Sequence, residues 1–294
     1  MILVGTCFEF HLSELMKIVA FQGEHGAFSE AAAFGYFGKR IKTLPLESFD
    51  KVFAAVGKTA DYGVMPIENS IEGGVLQACD LLIESELKVI GEFVLRVHHC
   101  LIADPGTRLK DIKYVYSHVQ ALGQCRKYIQ EMKFIPIAYI DTAGSVKMLK
   151  EKRLADSAAI ASEEAAKMYG LRILKKGIET DRRNYTRFLI LAKKSDVVDS
   201  FVKKNKGGSI KVALTFSTSN KPGMLYDALG RFAKHGINLT YIQSRPILGM
   251  PWKYNFYVEC QLNGGKERFG ETLGELEMGS FNIKLLGYYK SCER

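Results

Sequence analysis

The chain has 294 residues, 47% hydrophobic and 25% charged, with a mean hydropathy of −0.04. That composition excludes a disordered or fibrous chain and suits one large domain plus a small one, or two to three modest ones. The net charge of +9 is uneven, since residues from Lys203 onward hold 14 Lys+Arg against 7 Asp+Glu. Only Lys203, Lys204 and Lys206 cluster, and no aromatic is interleaved with them, so a solvated linker and surface is favoured over a nucleic-acid interface.

The first fifteen residues, MILVGTCFEFHLSEL, lack a positive leading region and carry Glu9 and Glu14, so they do not read as a signal peptide. No apolar run is long enough to span a membrane. Met16-Lys17 followed by Ile-Val-Ala-Phe reads as a fresh start into a strand. Residues 1–15 are therefore read as an upstream extension or a misassigned start, with a packed N-terminal segment as the alternative.

One unit then recurs: a short apolar strand, a polar or glycine-rich turn, and a helix. KIVAF (17–21) runs into QGEHG and AFSEAAAFGYF, and YGVMPI (62–67) into ENSIEGG and VLQACDLLIES. YVYS (114–117) runs into HVQALGQCRKYIQEM, AYID (138–141) into TAGSVKMLKEK, and SAAIAS (157–162) into EEAAKMYG. Strands alternating with helices predict an α/β fold with largely parallel sheets. Ligands in such folds bind beyond the C-terminal strand ends, where helix N-termini favour anions. Ser117 with Gln120 fits a capping box, and Ser162 before Glu163 and Glu164 reads as a cap. Ser117 and Thr142, at strand ends without an acidic first turn, are candidates for capping or for binding. Gln124, two turns along its helix, reads on physics alone as a surface residue.

The cysteines, Cys7, Cys79, Cys100, Cys125, Cys260 and Cys292, form no C-x-x-C pair and no metal-ligand spacing with the six histidines. Scattered cysteines point to a reducing cytoplasm. NYTRFLIL (184–191) reads as a core strand with an anomaly at its entrance: an amide, a hydroxyl and a cation on Asn184, Thr186 and Arg187. Beyond it, KKNKGGS (203–209) reads as a linker. The remainder reads βαββαβ, the ferredoxin-like order, with Pro222 at a helix start and Gly236 at its end. About 85 residues is a small domain, so pairing with a second copy is expected.

At this point the sequence resembles a known family. FQGEHGAFSEAA, PIENSIEGGV, SHVQALGQC, DTAGSV, AAIAS and NYTRFLIL stand in the order and spacing of prephenate dehydratase. PGMLYDAL and QSRP stand where its ACT regulatory domain has PGAL and ESRP. The resemblance covers the chain from about residue 16. It implies a catalytic domain over 16–202, a two-lobed, periplasmic-binding-protein-like α/β fold, then a linker at 203–208 and a ferredoxin-like ACT domain over 209–294. Lobe one would hold residues 16 to about 100 plus about 182–194, and lobe two about 111–181. The polar head of NYTRFLIL would then meet the cleft while its tail enters a core.

The implied substrate is prephenate, a cyclohexadienol with two carboxylates, and the reaction loses CO2 and water to give phenylpyruvate. Aromatisation drives it, so no cofactor and no metal is expected. The resemblance gives the key role to Thr186, as a hydrogen-bond donor to the departing oxygen. It places Glu68, Asn69, Ser70, Ser117, Gln124 and Thr142 at the cleft; Asn69 can donate to a carboxylate, while Glu68 would orient a neighbour or cap a helix. Arg187 points away from Thr186 and either grips a substrate carboxylate or pairs within the protein. L-phenylalanine is the implied effector, at an ACT dimer interface formed by Pro222, Gly223, Met224, Leu225, Gln243, Ser244, Arg245 and Pro246. Two departures stand out: Val119 replaces a proline, which changes turn stiffness more than chemistry, and Gln243 replaces a glutamate, which would alter the phenylalanine response. A cytoplasmic homodimer or homotetramer is expected, with no nucleic acid or membrane as partner. Arogenate dehydratase is the near alternative, and a non-enzymatic amino-acid sensor the distant one.

Overall fold

The computed structural model describes residues 16–193, 209–262, 266–279 and 281–292. The extension at 1–15 and the linker at 203–208 lie outside the described residues. The chain opens with β1 (Lys17–Gln22), α1 (Phe28–Phe37), β2 (Ile41–Leu46), α2 (Phe49–Ala55), β3 (Tyr62–Asn69), β4 (Gly73–Gly74), α3 (Leu76–Glu84) and β5 (Lys88–Arg96). After Val97–His99 come β6 (Cys100–Ala103), a 3-10 turn at Leu109–Asp111, β7 (Tyr114–Ser117), α4 (Val119–Gln124), α5 (Arg126–Glu131) and β8 (Ile135–Ala138). α6 (Thr142–Lys152), β9 (Ser157–Ala161), α7 (Glu163–Tyr169) and β10 (Arg172–Lys176) complete this run. β11 (Tyr185–Ala192) follows, then β12 (Ile210–Ser217), α8 (Met224–Lys234), β13 (Asn238–Ile247), β14 (Met250–Leu262), α9 (Lys266–Met278) and β15 (Asn282–Lys290).

Three sheets result. The first runs β2-β1-β3-β11-β5, with β4 paired to β3. β1, β2 and β3 are parallel, and β11 inserts antiparallel to both β3 and β5. The second runs β10-β6-β9-β7-β8. The chain crosses between these lobes twice, at 97–99 and 177–184, and the crossings are joined by the Val97 N–H donating to the Asn184 carbonyl at 2.8 Å. The third sheet, β13-β14-β12-β15, is antiparallel throughout, with α8 and α9 on one face.

Alternation along each strand decides which core it feeds. Phe188 and Ile190 of β11 pack with Val19, Phe21 and Val64, in a core that continues into lobe two through Ala143, Ala159 and Ala161. Leu189 and Leu191 face the other way, toward Ala213, Tyr257, Leu286 and Tyr289 of the third sheet. The helix-free face of the third sheet thus packs on the rear of lobe one. Gly287 makes the approach possible: a Cβ there would stand 2.1 Å from the Val89 carbonyl oxygen.

Two elements differ from the sequence reading. The strand before α6 is Ile135–Ala138 rather than 138–141; β8 is a sheet edge, which tolerates Pro136, and Asp141 caps the next helix instead. The helix after β7 is two short ones broken at Cys125. Ser117 does not cap it. His118 is the N-cap, its Nδ1 accepting from the Gln120 N–H, while the buried Ser117 hydroxyl donates to the Ile160 carbonyl at 2.5 Å. Ser162 caps α7 as expected, accepting from the Ala165 N–H at 2.9 Å.

Candidate active site

A cleft of about 540 Å³ opens between the lobes. α1, α2, α3, α4 and α6 all begin at its wall, through Phe28, Phe49, Leu76, His118 and Thr142. The N-cap positions of α1, α2 and α3, namely Ala27, Ser48 and Val75, make no side-chain cap bond, so no cap side chain accepts from the first N–H groups of these helices. None of the described residues lining the cleft is Lys or Arg. Its capacity for anions therefore rests on helix dipoles and backbone donors. Among the described residues, no group of His, Cys, Asp and Glu is arranged to hold a metal ion.

Two histidines and an aspartate lie on the wall. Burial lowers the pKa of His99 and of His118, so both are neutral in the neutral range. With His118 Nδ1 accepting at the cap, its Nε2 carries the proton. Burial raises the pKa of Asp141, against the N–H of Gly144 that bonds its Oδ1 at 2.6 Å.

Thr186 reaches the cleft from the head of β11, where it pairs with Asn69 of β3 and Leu95 of β5. Its Oγ1 accepts from Asn69 Nδ2 at 3.0 Å. Asn69, itself buried, also donates to Asn184 Oδ1 at 2.8 Å and to the Tyr185 carbonyl at 3.1 Å. Asn184 Nδ2 donates to Gln124 Oε1 at 2.8 Å, and that oxygen lies 2.6 Å from His99 Nε2. Gln124 is thus a buried residue of the cleft wall, correcting its reading as surface.

The prephenate dehydratase family model matches residues 19–196. The chain belongs to the prephenate dehydratase family. It is 38% identical over 281 residues to an arogenate dehydratase/prephenate dehydratase of Arabidopsis thaliana, covering 92% of this chain and 72% of that one. It is 38% identical over 275 residues to a bifunctional chorismate mutase/prephenate dehydratase of Aquifex aeolicus, covering 92% and 73%. A prephenate dehydratase from Arthrobacter aurescens, solved in complex with L-Phe, superposes with a TM-score of 0.82 at 28% identity, over 93% of this chain and 90% of that one. A protein described as a quorum quenching acylase matches with a TM-score of 0.82 at 33% identity, over 94% and 98%.

As a member of the prephenate dehydratase family the chain is a lyase, and the residues expected at its site sort into three groups. Thr186, Gln124 and Thr142 line the cleft. Asn69, Ser70 and Ser117 do not line it: Asn69 braces Thr186, and the exposed Ser70 joins the β3 turn to β11 by donating to the Arg183 carbonyl and accepting from the Tyr185 N–H, both at 2.9 Å. Glu68 and Arg187 face away from it. Arg187 bonds Glu68 at 3.1 Å, Glu92 at 3.3 Å and Glu259 of β14 at 2.5 Å, and lies over the Tyr241 ring. Burial opposes its charge, but Glu259 and its neighbours outweigh that and raise the pKa. Of the two readings of Arg187, the structure takes the ion pair within the protein, and substrate contact by Arg187 or Glu68 is corrected. His99 and His118 were missed by motif reasoning, and Asn184 was noticed at the strand entrance without a role.

The eight residues expected around the effector split as well. Gly223 is the N-cap of α8 at φ 85°, and Met224 and Leu225 form its first turn. In β13, Gln243 pairs with Tyr257, whose side chain faces lobe one, whereas Ser244 and Pro246 lie on the opposite, helix-bearing face. Arg245 is held bidentately by Asp80 of α3 at 2.5 and 2.6 Å. Within one chain, Gln243 and Arg245 therefore point to lobe one and not to the start of α8.

Proposed function

We propose that this cleft converts prephenate to phenylpyruvate by decarboxylating dehydration. The electron pair of the bond to CO2 enters the ring, aromatises it and expels the hydroxyl on the opposite carbon, which leaves as water after gaining a proton. One observation carries the reading: Thr186 Oγ1 accepts from Asn69, so its own hydrogen is left for the departing oxygen. The uncapped helix starts supply donors for two carboxylates. Thr142 and the Gln124 amide add donors on the lobe-two side. Residues 16–202 form the catalytic domain, 203–208 the linker and 209–294 the regulatory domain, and L-phenylalanine acts at the latter, supported by the effector named for the Arthrobacter relative. The free cysteines support a reducing cytoplasm, and a dimer or tetramer through the regulatory domains completes the proposal.

Arogenate is the second reading, favoured by the dual name of the Arabidopsis relative. Competition between the two substrates, read as phenylpyruvate and phenylalanine formed, tests both: prephenate turnover slowed by phenylalanine supports the first, and exclusive arogenate turnover the second. Turnover of neither contradicts the proposal.

A further inference from the structure

The polar groups around Thr186 form one directed chain across both lobes, and its direction can be read from the backbone. The N–H groups of Ile71 and Glu72 donate to Asn69 Oδ1 at 2.9 and 3.0 Å. A backbone N–H can only donate, so that atom is the carbonyl oxygen and Nδ2 is the donor toward Thr186 and Asn184. Asn184, fully buried, accepts on Oδ1 and must therefore donate through Nδ2 to Gln124 Oε1. Both bonds to the Gln124 side chain fall on that oxygen, so His99 must donate from Nε2; Gln124 lines the cleft, and among the described residues its Nε2 has no hydrogen-bond partner. His99 Nδ1 is buried, and among the described residues it has no hydrogen-bond partner. As the unprotonated nitrogen it leaves an idle lone pair, which costs less than a stranded N–H.

We propose that the two backbone N–H groups after β3 set the donor polarity of the cleft wall from Thr186 to Gln124 and His99, and that Asn184 is the positioning residue that carries it from one lobe to the other. At the near end the chain makes Thr186 Oγ1 an acceptor toward the protein, freeing its hydrogen for substrate. At the far end it turns Gln124 to present an N–H₂ and holds His99 as the Nε2–H tautomer. The catalytic part of this inference rests on the reading of Thr186 as the donor to the departing oxygen.

Asn69→Asp reverses the chain at its origin. The carboxylate keeps both backbone N–H bonds and accepts from Thr186 and from a rotated Asn184, which offset its charge, while the bond to the Tyr185 carbonyl is lost, so folding of the variant is checked by thermal melting. The Thr186 hydrogen is then drawn into the protein, Asn184 shows its oxygen to Gln124, and Gln124 turns over. The experiment follows phenylpyruvate formation together with 15N-edited imidazole spectra of histidine-labelled protein, His99 being assigned from its loss in His99→Gln. Expected is a kcat reduced about a hundredfold or more, with loss of the hydrogen-bonded Nε2–H signal of His99, a residue that does not touch position 69. Asn184→Ala cuts the chain, so Asn184→Ala and Asn69→Asp/Asn184→Ala should give the same His99 spectrum.

An Asn69→Asp variant that loses activity while His99 keeps its wild-type signal would overturn the relay, leaving only a local role for Asn69. One that turns over within a few-fold of wild type would overturn the claim that Asn69 sets the Thr186 hydroxyl. If wild type fails to consume prephenate, the functional reading falls, and the His99 spectra still decide the relay.

Discussion

Thr186 and Arg187 are neighbours on one strand, and the two faces of β11 that they leave from differ in kind. On the front face, Thr186 and Phe188 border an open cleft, and Thr186 is held there by a chain of neutral amides through Asn69, Asn184 and Gln124. On the rear face, Arg187 sits among Glu68, Glu92 and Glu259, with Lys211 bonded to Glu92 and the Tyr257 hydroxyl donating to Glu259 at 2.6 Å. The front holds Thr186 by neutral hydrogen bonds, the rear holds Arg187 by opposite charges. The difference teaches what a motif can hide: Thr-Arg reads as one functional unit, yet its hydroxyl lines the cleft while its cation ties β11 to β14 of the third sheet.

That contrast can be broken from the rear. Arg187→Leu strips the buried Glu259 carboxylate of its cation, and about 3–5 kcal/mol of stability should be lost, measured by denaturant unfolding. A loss below 1 kcal/mol would mean that the cluster is not what joins the two parts. Gly287→Val is expected to cost roughly 1–3 kcal/mol, because the new side chain meets the Val89 backbone and forces the sheets apart. Prephenate turnover should survive it better than any response to phenylalanine does; equal loss of both would argue against separate roles for the two faces.

The front face gives a pH signature. His99 and His118 have pKa values lowered by burial from an ordinary 6.5. The unfolded chain takes up protons near that value while the folded one resists, so their contribution is complete above it and is lost as pH falls through the folded values. The melting temperature should therefore drop between pH 7.5 and 5.5 in calorimetry, and less steeply in His118→Gln; an equal slope would remove His118 from the account. The smallest effect is expected from Arg245→Ala, since its pair with Asp80 is partly exposed and worth up to about 1 kcal/mol. A larger loss would make α3 and β13 a second fastening of comparable weight.

How much of this was legible follows from the range over which each signal acts. Strand–helix alternation and the polar head of β11 are local patterns, and they led to an α/β fold and to an anomaly at the strand entrance; the two lobes and the role of Thr186 came from the resemblance of the ordered motifs to prephenate dehydratase. The helix starts of α1 and α3 carry Ala27 and Val75 at the cap, where no Ser, Thr, Asp or Asn announces a site. Asn184 stood in view as an unexplained amide, but its partners lie 60 and 115 residues away along the chain. Gln124 looked exposed because helical spacing says nothing of a neighbouring crossing strand. Glu259, 72 residues beyond Arg187, gave no sequence signal of the ion pair that decides between the two readings of that arginine.

The most direct measurement is phenylpyruvate formation from prephenate by wild type, Thr186→Val and Thr186→Ser, with folding checked by thermal melting. A hydroxyl that donates to the departing oxygen predicts turnover by wild type, a kcat lowered by roughly 10²–10⁴ in the valine variant, and recovery of most of the rate in the serine variant, with all three proteins equally folded. A folded valine variant that turns over at the wild-type rate would contradict the account at its centre.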